Sequence, residues 1–254
     1  MNDLDFGRTA GDYRRYRAGF PKSFFEALKS RGLIVGSEDV ADLGTGTGTI
    51  ARGLAGMGCK VTGVDPSLEL LGYAADIAGE DGLDVTWLTG TAEATRLKTE
   101  SVDVITAGQC WHWFEPEAAI AEVRRILKPD GLLLIAHFDW LPLLGNVVWY
   151  TEKLIEEVNS AWDMGDGCGI YPEWFRHMGH GGFSEIESFT YQESVPYSHE
   201  AWRGRIRASA GIGGTLDLEK VEAFDRQHAT MLVERFPQDI LEIPHQVFVI
   251  HGRK

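Results

Sequence analysis

Cysteine is scarce in this chain. Its 254 residues include three, Cys59, Cys110 and Cys168. They are widely spaced and odd in number, which fits neither a disulfide framework nor a structural zinc site, so they read as free thiols. Long apolar runs are also missing. Nothing approaches the roughly 18 apolar residues that cross a bilayer, and no membrane-spanning helix is expected. The opening MNDLDFGRTAGDYRRYR has no apolar stretch of the kind a secretory leader carries, so a cytoplasmic location is expected. Positive charge is the third deficit. Lys and Arg number 24 against 38 Asp and Glu, giving a formal charge of −14 that repels phosphate backbones, so nucleic acid is not an expected partner. Neither repeats nor low-complexity segments occur. What is present, 44% hydrophobic and 24% charged residues, is the composition of an ordinary globular protein, and the length suits one large domain or a domain with an appended cap.

Through residue 138, short β-rich runs alternate with helical patterns, the mark of a parallel sheet with crossover helices. Strands are expected at Asp39–Leu43, Lys60–Val64, Asp84–Leu88, Val102–Ala107 and Leu132–Phe138. Pro66–Ala78 carries Leu70, Leu71, Ala74, Ala75 and Ala78 on one face, and Glu117–Leu127 carries Ile120, Val123 and Ile126 at helical spacing. Lys128-Pro129-Asp130-Gly131 then stops the second helix and turns into a buried strand. After Phe138 the alternation ends. Asp139–Gly182 reads as a lid insertion, with one amphipathic helix near Asn146–Trp162 followed by glycine-rich loops. It holds Trp140, Trp149, Trp162 and Trp174 beside Tyr150, Tyr171 and Phe175. A sixth strand near Ser184–Tyr191, helices at His199–Ala210 and Asp217–Phe236, and a last strand at His245–His251 complete the reading.

The most informative stretch is Val40-Ala41-Asp42-Leu43-Gly44-Thr45-Gly46-Thr47-Gly48, a strand entering a glycine-rich turn ahead of a helix. Such turns let backbone approach a ligand. Gly46-x-Gly48-x-x-Ala51 also satisfies a loose dinucleotide fingerprint. Asp42 weighs against that alternative, because a carboxylate two residues before the first glycine repels a pyrophosphate and favours an ammonium group. The methionyl part of S-adenosylmethionine has an ammonium and no phosphate. Asp65, at the end of the second strand, can accept both hydroxyls of a ribose, or merely cap the helix after it.

These segments resemble the class I S-adenosylmethionine-dependent methyltransferases, in the methyltransferase-11-like small-molecule branch. Asp42 to Gly48 matches the family's first motif, Val64-Asp65-Pro66-Ser67 the second, and Gly90-Thr91-Ala92-Glu93 the adenine-side motif. Ser101 to Ile105, followed by Gln109-Cys110-Trp111-His112-Trp113, looks like the fourth, and Ile126 to Gly131 like the fifth. Phe6, Ala10, Tyr13 and Arg17 look like the segment that folds over the methionyl group, although Ala18 stands where proline is common. The resemblance implies an α/β, Rossmann-like doubly wound sheet of about seven strands, mostly parallel with an antiparallel C-terminal strand, plus a helical and aromatic lid. It divides a single domain into N-terminal cover helices (1–32), a cofactor-binding core (33–138), the lid (139–182) and C-terminal strands and helices (183–254). It implies S-adenosyl-L-methionine as cofactor, held by Tyr13, Arg17, Asp42, Gly44, Thr45, Gly46, Gly48, Asp65, Pro66, Ser67, Ala92, Glu93 and Gln109.

Methyl transfer is an in-line displacement in which positioning supplies much of the catalysis, with a base only where the acceptor must lose a proton. His112 is one candidate base and His137 a rival; either can equally be a packed histidine. Trp111, Trp140 and Tyr171 are candidate acceptor contacts. His177-x-x-His180 has a spacing that can clip a metal, yet no third ligand stands near and no metal is expected. The expected partner is a small-molecule acceptor. The competing readings are a nicotinamide-dependent oxidoreductase, which lacks an evident Tyr-x-x-x-Lys pair, and a non-catalytic S-adenosylmethionine-binding module.

Overall fold

In the computed structural model, which describes residues 19–254, seven strands form one mixed sheet: β1 Asp39–Leu43, β2 Lys60–Asp65, β3 Val85–Thr89, β4 Val102–Gly108, β5 Leu127–Trp140, β6 Ser184–Ser198 and β7 Ile240–Arg253. Their order is β3-β2-β1-β4-β5-β7-β6, and β1 to β5 pair in parallel. Buried parallel strands need apolar residues on both faces, and β1 and β4 supply them in runs such as Val104-Ile105 and Ala41, Leu43. The β7 strand runs antiparallel to both neighbours. Ser184 Oγ bonds the Arg253 carbonyl and Thr190 Oγ1 the Val247 carbonyl, so partners fall as positions rise, and the Lys254 amide meets the Gly131 carbonyl near the start of β5. The sequence order reverses beside β1, which has β2 on one side and β4 on the other. Ligands of open α/β sheets bind at that switch point, outside the carboxyl ends of the strands.

The chain divides into two compact units. The first comprises 19–138, 171–191 and 247–254, and the second includes 139–170 and 192–246; β5, β6 and β7 are divided at Phe138, Tyr191 and Gln246. In the first unit, α1 (Lys22–Ser30), α2 (Thr49–Gly56), α3 (Leu68–Glu80), α4 (Pro116–Ile126) and α6 (Glu173–His180) accompany the sheet. Its core joins Leu43, Ile105, Ala107 and Ile135 of the strands to Ile120 and Val123 of α4 and to Trp174 and Met178 of α6.

The second unit holds α5 (Val147–Val158), α7 (His199–Arg207) and α8 (Leu218–Arg235) around Val148, Ile155, Trp202, Ile206, Phe224 and Leu232. At its centre the Thr151 hydroxyl donates to the Val147 carbonyl, 2.7 Å, and accepts from the Trp202 indole, 3.1 Å. That hydroxyl has one proton, so His228 Nε2, 3.0 Å away, is the donor of their bond.

Several expected elements shift. The helix after β2 begins at Leu68 rather than Pro66, because Ser67 is its cap and accepts the Leu70 amide at 3.2 Å. The strands β5, β6 and β7 extend beyond Leu132–Phe138, Ser184–Tyr191 and His245–His251. The region after Trp162, expected as loops, contains α6, whose buried Trp174 and Met178 are one turn apart and join the core. His177 and His180 are therefore helical residues, and no group of three or more metal-ligating side chains occurs among the described residues. The segment Asp139–Gly182 is also split, 139–170 in the second unit and 171–182 in the first. No helix among the described residues is long and apolar enough to cross a membrane.

Candidate functional site

The β1 strand delivers Asp42 and then breaks into the glycine turn. Gly44 has φ 60°, and a Cβ there would stand 2.8 Å from Cys110 Sγ, so both the backbone conformation and the packing demand glycine. Gly48 is equally constrained: at φ 77° its Cβ would meet the Trp87 ring at 2.6 Å. The turn leads straight into α2, with Gly48 as its N-cap.

Asp42 is 2% exposed, and its two oxygens accept the hydroxyls of Thr45, at 2.6 Å, and Thr106, at 2.7 Å. Burial pushes its pKa up to about 6 against these hydrogen bonds, and the charge of Asp65 adds to the rise. Asp65 is buried as well. It accepts the Gly46 amide on one oxygen and the Ser67 amide on the other, both at 2.9 Å, tying the first glycine loop to the end of β2. Burial raises its pKa too, opposed by those amides. Ser67, not Asp65, caps α3. Two buried carboxyl groups thus flank one turn, and the groups bonded to them are hydroxyls and amides rather than Lys or Arg. Such a pair suits a ligand that brings its own positive charge and hydroxyl donors, and it disfavours a phosphate.

Around that turn, Thr45 is buried with its amide on the Val64 carbonyl, Pro66 is exposed, and Ala92 is buried. Glu93 Oε1 accepts the Glu115 amide, 3.1 Å, which links the segment after β3 to the start of α4. Gln109, just past β4, adopts φ 58°, a left-handed conformation costly for a residue with a Cβ. Two bonds hold it there, from its amide to the Ala136 carbonyl, 2.9 Å, and from Nε2 to the Phe138 carbonyl, 2.6 Å. Tyr13 and Arg17 lie outside the described residues.

A second constellation gathers at the carboxyl ends of β4 and β5. His112, in a 3-10 turn spanning Trp111–Trp113, is exposed, and its ring lies 5.3 Å from that of buried His137. His137 Nδ1 is 3.1 Å from the Tyr171 hydroxyl, and Tyr171 stacks on Trp174 at 4.2 Å. Trp111 is core, and its indole donates to His177 Nδ1, 3.2 Å, pinning α6 to the β4 turn. Trp140 belongs to the second unit, where its indole donates to buried Glu152 at 2.8 Å and its ring meets Trp202 edge-on.

Sequence reasoning missed Thr106, the hydroxyl partner of Asp42. Its signal was a lone polar residue inside the apolar run Ile105-Thr106-Ala107, set directly beside Asp42 by the parallel register. The Trp111–His177 bond and the Trp87 packing had no comparable signal, since each joins residues that only the fold brings together.

Residues 41–135 match the family model described as a methyltransferase domain. An uncharacterized methyltransferase of Mycobacterium tuberculosis is 34% identical over 151 residues, 57% of this chain and 59% of that protein, so the chain matches about three fifths of the length of such relatives. Among solved structures, a putative type II methyltransferase of Anaeromyxobacter dehalogenans superposes with TM-score 0.68 at 21% identity, covering 94% of this chain and 98% of the other. A phosphoethanolamine N-methyltransferase of Haemonchus contortus, solved with phosphomonomethylethanolamine and S-adenosylhomocysteine, gives 0.58 at 19% identity, covering 100% of this chain and 60% of the other.

Proposed function

We propose that this chain is a class I methyltransferase that binds S-adenosyl-L-methionine between the glycine turn after β1 and the end of β2 and transfers its methyl group to a small-molecule acceptor. The observation that carries this reading is the pair of buried carboxyl groups, Asp42 and Asp65, around a glycine turn at the switch point of the sheet. When bound, the cofactor supplies an electrophilic methyl group on a sulfonium. Asp65 keeps lone pairs beyond those given to Gly46 and Ser67, and these accept the ribose hydroxyls. Asp42, ionised by the approach of an ammonium group, fixes the methionyl end with the Gly44 and Gly46 backbone. Gln109, strained and twice tethered, would contact the methionyl group, and Ala92 and Glu93 would face the adenine.

The aromatic and histidine cluster at β4 and β5 lines the acceptor side. Its rings shield the reacting atoms from water, and holding nucleophile and methyl group in line supplies most of the acceleration. The Haemonchus enzyme, of the same fold, was solved in complex with phosphomonomethylethanolamine and S-adenosylhomocysteine, and a small acceptor here is in keeping with that.

Incubating the protein with methyl-labelled S-adenosylmethionine and fractionated cell extract tests this reading. Label in a compound of low molecular mass, dependent on intact Asp65, is expected. Label confined to protein or nucleic acid would overturn the small-molecule acceptor.

A further inference from the structure

The chain leaving β3 is bonded at four alternate residues, Glu93, Thr95, Leu97 and Thr99, to α4 or its cap. Glu93 Oε1 accepts the amide of Glu115, the N-cap of α4, at 3.1 Å. Thr95 is fully buried and donates both its amide and its hydroxyl to Glu122 Oε1, at 2.9 and 2.6 Å. The Leu97 carbonyl and the Thr99 hydroxyl accept from Arg125, at 2.8 and 3.2 Å. Glu122 and Arg125, three residues apart on one helix face, join through two further bonds of 2.7 Å, so the carboxylate that grips Thr95 is itself fixed in place. That guanidinium pushes the Glu122 pKa down to about 2 against the effect of burial, and the Thr95 donors add to the fall; Glu122 therefore acts as an acceptor only.

The grip acts at the foot of a tight turn. The Ala94 amide donates to the Thr91 carbonyl, 3.2 Å, which makes Ala92 and Glu93 the two central residues of a β-turn. Its leading leg is fastened to β2 by the Gly90 amide on the Asp65 carbonyl, 3.2 Å, and its trailing leg to α4 by Thr95. With both legs held, the tip keeps one conformation before any ligand arrives. Glu93, one oxygen engaged by the Glu115 amide, keeps the other for a donor.

We propose that Glu122 is a positioning residue that sets base selectivity: through Thr95 it holds the Ala92–Glu93 turn so that the turn accepts a 6-aminopurine and rejects a 6-oxopurine. This rests on the methyltransferase reading above, in which the turn faces the adenine. A 6-amino group is a donor and suits the open oxygen of Glu93, whereas a 6-oxo group sets an acceptor against an acceptor. Such a mismatch discriminates only where the reading group is rigid, because a mobile turn moves aside and relieves it. The two oxygens of Glu122 are engaged by Thr95 and Arg125, so its effect on the base passes through the turn.

Calorimetric titration of the full chain with S-adenosylhomocysteine and with S-inosylhomocysteine, its 6-oxo counterpart, tests this without any turnover. The unaltered protein should prefer the adenosine compound by about tenfold or more. Two variants should lower that preference about fivefold, the worth of one hydrogen bond: Thr95→Val, which keeps the shape and removes the hydroxyl, and Glu122→Gln, which has one acceptor oxygen where Thr95 and Arg125 use two. Thr95→Ser, which keeps the hydroxyl, should retain it. A merely structural tie would weaken both compounds alike, or neither. An unchanged preference in either of the first two variants, or loss of the fold in Thr95→Val by circular dichroism, would overturn the proposal. Equal affinity of the unaltered protein for the two compounds would overturn it as well and leave the cofactor reading standing. If the unaltered protein does not bind S-adenosylhomocysteine, the reading beneath it falls.

Discussion

Asp42 is a carboxylic acid tuned toward neutrality by burial, and that tuning has consequences in both the free and the bound protein. Its folded pKa of about 6 lies above the ordinary 3.8, so the folded state holds the proton more tightly than the unfolded one. Its contribution to stability is present below pH 3.8 and is lost as pH rises through about 6. Asp42→Asn should remove that slope and leave the ligand-free protein more stable at pH 8, measured by denaturant unfolding, while weakening cofactor binding. An ammonium group favours the ionised form, so binding at pH 6 should release a fraction of a proton. Calorimetry in buffers of different ionisation heat should detect the release near pH 6 and almost none at pH 8. Asp65 acts through hydrogen bonds instead. Asp65→Ala should weaken cofactor binding by about 1.5 to 3 kcal/mol, the range for bonds to a charged acceptor; an unchanged dissociation constant would leave Asp65 with only its bonds to Gly46 and Ser67.

At the scale of elements, the glycine turn is shaped as much by β3 as by any ligand. Trp87 of β3 fills the space above Gly48, so Gly48→Ala forces a Cβ to within 2.6 Å of the ring at φ 77°. A loss of about 1 to 3 kcal/mol in unfolding free energy is expected, partly relieved when Trp87→Leu is added. In the second unit, α8 depends on His228 staying neutral. Burial pushes its pKa down to about 3 from 6.5, and His228 Nε2–H donates to Thr151. A depressed histidine pKa means that stability is present above 6.5 and lost as pH falls toward 3, the opposite slope to that of Asp42. His228→Leu should flatten the acid limb of the pH–stability curve.

Elements differed in how legible they were. The β1, β2 and β4 strands were readable because buried parallel strands are short runs rich in apolar residues and bounded by turns, and the edge strand β3 because its Val, Thr and Trp favour extended backbone. The α6 helix was not: it is eight residues long, has glycine on and around it, and buries only Trp174 and Met178, so its helical period is too brief to stand out. The far ends of β6 and β7 carry Pro196, Glu193 and Glu242, and their alternating exposure reads as polar loop until the antiparallel pairing is known.

For the whole molecule, the motif residues were legible as a set because the parallel topology places the ends of β1, β2, β3 and β4 on one edge. Nothing in the sequence paired His137 with Tyr171, which are 34 residues apart and joined by the fold. The expected N-terminal cover remains open to direct test: deleting residues 1–19 should lower cofactor affinity more than the ligand-free melting temperature, and normal binding by the truncated protein would make the segment a tail. On the proposed reading, the two buried carboxyl groups admit a cationic, phosphate-free nucleoside and exclude a pyrophosphate. Its most direct test is calorimetric titration of the full chain with S-adenosylmethionine and with NAD under one set of conditions. Micromolar binding of S-adenosylmethionine with no measurable NAD binding is the predicted result, and the reverse ranking would contradict it.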